Sequence, residues 1–78
     1  MEKNLTFHYD KIGDILYIDV CSPYPEQESE EIGDEIIAHL NPQSGEVENL
    51  EILFFSKRLE NEKSFHLPIE ASLRLMSG

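Results

Sequence analysis

Apolar and polar residues alternate over 5–10, where Leu5, Phe7 and Tyr9 interleave with Thr6, His8 and Asp10. A period of two is the mark of a strand with one covered face. Beyond Asp10-Lys11-Ile12-Gly13 the chain runs Ile15-Leu16-Tyr17-Ile18 without a polar break, and then Asp19 and Val20 resume the alternation. β-Branched and aromatic side chains favour strand over helix here, and an unbroken apolar run suits a central strand covered on both faces. The two segments predict a first hairpin over 5–20. Asp10 opens its turn as an acceptor for nearby backbone N–H groups, Gly13 closes it with freedom to go left-handed, and Asp14 flanks it.

Residues 22–31 (SPYPEQESEE) hold two prolines, two serines and four glutamates. Such a stretch offers no core face and predicts a solvated acidic loop. Alternation returns with Ile36, Ala38 and Leu40 between Glu35, Ile37 and His39. Asn41-Pro42-Gln43-Ser44-Gly45 is turn chemistry: Pro42 fixes φ and Gly45 can go left-handed. Residues 47–55 (VENLEILFF) then complete a second hairpin over 35–55. Ser56 is placed to cap a helical turn at residues 57–60. Pro68 and Glu70 suit the first turn of a helix in which Ile69, Leu73 and Met76 share a face, while Leu73-Arg74-Leu75 carries a competing strand-like alternation. The fold class expected is α+β, mainly β. It is a single domain over 1–78: an antiparallel four-stranded β-meander of two hairpins with a short C-terminal helix in a helical tail over 56–78.

Length sharpens this picture. A chain of 78 residues buries only about 60% of the surface it exposes when unfolded. Four strands cannot readily hide Leu53-Phe54-Phe55, Ile36-Ile37 and the tail together, and an exposed apolar patch marks association. The sequence therefore predicts a homodimer, with Leu53, Phe54, Phe55, Ile69 and Leu73 at the contact. Sixteen acidic against six basic residues give a net charge of −10. That field repels phosphate backbones and anionic lipid, disfavouring nucleic-acid and membrane partners, and it favours a basic protein as a second partner. No run approaches the roughly 18 apolar residues of a membrane span, and Met1-Glu2-Lys3-Asn4 leads into no signal-like segment. A cytoplasmic protein is expected.

Candidate chemistry is thin. Cys21 is the only cysteine, so neither a disulfide within the chain nor a thiolate metal cluster can form, and no base is nominated to activate it. His8, His39 and His66 lack the spacing of a metal site. Glu26, Glu28, Glu30, Glu31, Asp34 and Glu35 form an acidic run without the short Asp/Asn spacings of a calcium loop. Glu51 is the one charge inside an apolar strand; it faces solvent by alternation, or pairs with Lys57 or Arg58 at an interface. A dimer cleft built from Asp14, His39 and Glu51 is the alternative that would make a small-molecule or metal site. No cofactor and no catalytic residue is expected.

Some of these residues form a pattern. Tyr9-Asp10, Gly13-Asp14-Ile15-Leu16-Tyr17-Ile18, Glu31-Ile32-Gly33-Asp34, Leu50-Glu51-Ile52-Leu53 and Ser56-Lys57-Arg58-Leu59 resemble the domain of unknown function 2283, a family of small, mostly prokaryotic proteins. The resemblance runs from Phe7 to Leu59. It departs at Asn49, where the family carries Gly, and at His39-Leu40-Asn41-Pro42, where it carries an acidic turn. It implies a small antiparallel β-meander with a helical end and no inherited catalytic residue. Members encoded beside small toxins extend the basic-partner expectation to an antitoxin-like role.

Overall fold

The computed structural model describes residues 4–76; residues 1–3 and the last two positions of the expected tail, 77–78, lie outside it. Its strands are β1 (Thr6–Asp10), β2 (Ile15–Asp19), β3 (Glu28–Gly33), β4 (Ile36–Leu40) and β5 (Val47–Leu53), followed by one helix, α1 (Phe55–Asn61). They form a single antiparallel sheet in the order β1-β2-β5-β4-β3. The chain is thus mainly β with a short C-terminal helix, but the described residues form five strands rather than the four expected. Nor is it a simple meander: β5 inserts between the first hairpin and β4, and the run from β3 to β5 folds back against β2.

The extra strand, β3, occupies the second half of the stretch expected to be an acidic loop. A strand at the rim needs only one hydrogen-bonded neighbour, and its glutamates cost little while they face water. Before it, Tyr24 and Gln27 are fastened to β5. The Tyr24 hydroxyl donates to Glu48 Oε1 at 2.6 Å, and Gln27 Nε2 donates to Glu48 Oε1 at 3.0 Å and to Asn49 Oδ1 at 2.7 Å. Composition gave no hint of this anchor.

The register sorts the side chains into cross-strand rows. One inner row runs Phe7, Ile18, Leu50, Ala38, Glu30, and the next runs Tyr9, Leu16, Ile52, Ile36, Gly33. The fully buried apolar residues are their middle members, Leu50, Ala38, Ile52 and Ile36. Phe55, Phe65, Leu67 and Ile69 pack over them as a cover. The outer rows, Thr6-Asp19-Asn49-His39-Ser29 and His8-Tyr17-Glu51-Ile37-Glu31, are largely polar.

The tail departs from the helical reading. Helix is confined to α1, and residues 62–76 hold neither helix nor strand. In 64–70, Phe65, Leu67 and Ile69 are partly buried, whereas Ser64, His66, Pro68 and Glu70 are exposed. This is a period of two, so the tail lies extended across the sheet. It makes one tight turn in which Ile69 N donates to Leu67 O at 2.8 Å. A helix starting at Pro68 would have presented Ile69, Leu73 and Met76, but only Ile69 has core to cover.

Ile52 is 1% exposed at the centre of this layer. Ile52→Ala should lower the unfolding free energy by about 2–5 kcal/mol, measured by urea denaturation. A loss of that size leaves little of the ~3–5 kcal/mol that a core this small supplies.

Candidate functional site

The turn residues of the first hairpin lie at one end of the sheet, and the Asn41–Gly45 turn lies at the other. Asp10 Oδ1 accepts from Ile12 N at 3.1 Å and Gly13 N at 3.2 Å, as expected for its place in the turn. Gly13 is not the left-handed residue; Asp14 is, with φ 57°. Gly13 leaves room instead: a Cβ there would stand 2.8 Å from Asp10 Oδ2, and that carboxylate would have to shift. In the second hairpin, Asn41 Oδ1 accepts from Gln43 N and Ser44 N at 2.8 and 3.0 Å, and Gly45 takes φ 77° just after the Pro42 turn.

Asp14 does more than flank a turn. Its Oδ1 accepts from the Tyr9 hydroxyl at 2.6 Å and from Ser56 N at 2.9 Å, and its Oδ2 accepts from Ser56 Oγ at 2.8 Å. Its carbonyl accepts from Phe55 N at 3.0 Å. The helix therefore takes its N-terminal cap from a carboxylate 42 residues away. Ser56, expected to be that cap, lies inside the first turn and donates to Asp14. These bonds hold the Asp14 carboxyl below its ordinary value, the Tyr9 hydroxyl first, and in turn raise the Tyr9 hydroxyl. Phe54, just before the helix, is left-handed with φ 52°, a strained conformation for a bulky side chain.

A second polar set crosses the outer face. Ser29 Oγ lies 2.8 Å from His39 Nδ1, and His39 Nε2 meets Glu51 Oε2 in a very short contact. Glu51 thus pairs with His39 across the sheet, and neither Lys57 nor Arg58 is its partner; Arg58 pairs with Glu62 and donates to the Asp34 carbonyl. Hydroxyl, imidazole and carboxylate in series are the parts of a nucleophile with its base and orienting group. Ser29, however, is exposed on a rim strand, where a substrate carbonyl would stay solvated. Of the residues expected to form a dimer-cleft site, His39 and Glu51 meet, while Asp14 belongs to the separate set at the turn end.

Buried polar groups secure the same face. Asn49, 2% exposed, donates from Nδ2 to Asp19 Oδ1 at 2.8 Å and to the Cys21 carbonyl at 2.7 Å. Glu48 accepts from Tyr24, Gln27 and Asn41. The Tyr24 hydroxyl is pushed up to about 12, mainly by its bond to Glu48. His8 lies beside Tyr17 with ring centroids 5.8 Å apart, and His66 is exposed in the tail. Among the described residues no group of three or more His, Cys, Asp or Glu could hold a metal ion.

The inner face carries the apolar feature. A groove of ≈ 370 Å³ opens between the sheet and the tail, bordered by Leu5, Phe7, Ile18, Val47, Leu67 and Leu73. Of the expected contact residues, Phe55 and Ile69 pack on the chain's own core and Leu53 is half-buried, leaving Phe54 and Leu73 exposed. Leu5 and Phe7 were not among them. Their alternation is legible, but that β1 is an open rim depends on strand order, which the pattern does not carry.

Among the described residues no helix is long and apolar enough to cross a membrane. A family model described as Protein of unknown function (DUF2283) matches residues 6–56. No curated protein and no solved structure matches the chain.

Two pH dependences follow. The native Asp14 carboxyl titrates below its ordinary 3.8, so its stabilisation is present above 3.8 and is lost as pH falls through the native value. Asp14→Asn should flatten the acid limb of thermal stability followed by circular dichroism. Tyr24 has the opposite sign: its bond stabilises below pH 10.0 and is lost as pH rises through about 12. Tyr24→Phe should make the alkaline limb shallower over that window, and ultraviolet difference titration should lose its latest-ionising tyrosine.

Proposed function

The chain belongs to this family of proteins of unknown function, and we propose that it serves as a cytoplasmic protein-interaction module without catalytic activity, working as a homodimer. The observation that carries the reading is Phe7. It lies in the same inner row as the core residues Leu50 and Ala38, yet it is 62% exposed. Leu5 and Tyr9 beside it are exposed as well. The core face of the sheet thus continues past its own cover to a rim that no described residue pairs.

The two rims differ. On β3, Glu28, Glu30 and Glu31 face water, and the pairing with β4 is irregular between Glu31 and Gly33. Charges and bulges are the devices that keep a sheet edge from pairing. β1 has an unbroken register with β2 and no such guard over Phe7. A second copy offers the matching apolar strip, and a two-fold contact closes on itself. The charge of −10 supports a second reading, an acidic partner for a small basic protein in the manner of an antitoxin. The bare apolar rim favours the first.

Sedimentation equilibrium at about 50 µM, a working range for modest interfaces, should give the dimer mass. Phe7→Glu should give the monomer with the same circular dichroism. A wild-type chain that remains monomeric at that concentration overturns the proposal.

A further inference from the structure

Resting on that reading, we propose what covers the strip: residues 72–76 of a second copy add to the open rim of β1 as a further strand, and the two copies exchange these segments reciprocally. The segment has the pattern for it. Leu73 and Leu75 alternate with Arg74, so in an extended chain both leucines share one face and the arginine takes the other. In the single chain they have almost nothing to touch: Leu73 is 81% and Leu75 98% exposed. The backbone there is in neither helix nor strand. Strand addition uses such a segment well, since main-chain bonds supply affinity and alternate side chains supply fit.

Position and charge select the rim. Leu73 borders the same groove as Leu5 and Phe7, so the chain leaves the sheet beside β1. A strand that puts Leu73 and Leu75 on the inner side, next to Phe7, puts Arg74 on the outer side, where Asp10 and Asp19 carry charge beside Thr6 and His8. Residues 71–76 hold one arginine and no acid, in a chain of net charge −10. The β3 rim fits the leucines poorly, because Glu28 and Glu30 stand opposite Leu40 and Ala38 on the inner side. A leucine pair added there would lie against carboxylates.

Mixing isotope-labelled with unlabelled protein and recording filtered NOE spectra tests the exchange. Contacts between the Leu73 and Leu75 methyl groups of one copy and the Phe7 ring of the other are expected. Leu73→Asp/Leu75→Asp, which alters only exposed side chains, should keep the spectrum of the folded sheet and weaken self-association about ten-fold or more. A dimer lacking those contacts, and undiminished in the double variant, overturns segment exchange while leaving self-association standing. Contacts from Leu75 to Phe7 found only within one chain overturn it as well. A wild-type monomer overturns both proposals.

Discussion

The Asp14 carboxylate is the tie on which the cover of the sheet depends. α1 has seven residues and no side-chain cap of its own, and a helix so short gains little from its own hydrogen bonds. Asp14 supplies the missing acceptor, and its carbonyl holds Phe55 N in addition. The first hairpin is thereby locked to the reversal at Phe54. That reversal turns Phe55 inward, where its ring meets Tyr9 at 5.9 Å and Phe65 at 6.2 Å between centroids. The Arg58 guanidinium lies over Phe65, 5.3 Å from its centroid, and holds the start of the tail. The strain at Phe54 is tolerated because bonds on both sides fix it.

What could be read from the chain follows from where each signal resides. Asp10 and the residues of β1 and β2 act on neighbours in sequence, so the first hairpin was legible. So was the turn at Asn41 to Gly45. The conformation at 13–14 was misassigned because glycine has two uses: Gly13 makes space for Asp10, and the left-handed step falls on Asp14, whose carboxylate is held from outside. β3 was missed because its glutamates show no core face: it is a strand through its pairing with β4, and the segment before it is tied to Glu48 and Asn49, some twenty residues onward. Asn49, a departure from the family pattern, proves to be a buried anchor for the Gln27 and Cys21 segment. In the tail two periodicities competed, and the apolar core of β4 and β5 selected Phe65, Leu67 and Ile69. The candidate site was less legible still: Ser29, His39 and Glu51 meet only through strand order, and so does the exposure of Phe7.

The family pattern gains a physical meaning from the same geometry. Tyr9, Asp14 and Ser56 stand at its two ends, and they meet in one hydrogen-bonded set. The motif thus encodes how the hairpin grips the helix, which is a structural task. The outer face is likewise self-sufficient, with its buried amide and carboxylate supplied with partners. Apolar side chains face water along the inner strip at β1, and among the described residues also at Ile12, Phe54, Leu59, Leu73, Leu75 and Met76.

The densest acidic run does not stand against association at the β1 rim. The acidic run from Glu26 to Glu35 lies on and around β3, at the opposite rim from β1. Four strand spacings separate the two rims, about 19 Å at the usual ~4.8 Å between strands. That is more than twice the Debye length of about 8 Å at physiological salt, so the repulsion from this run is largely screened before it reaches the β1 rim. The same distance keeps the acid where it guards the other edge. Of the two rims of one sheet, one is thus guarded by its glutamates, and the other exposes Phe7.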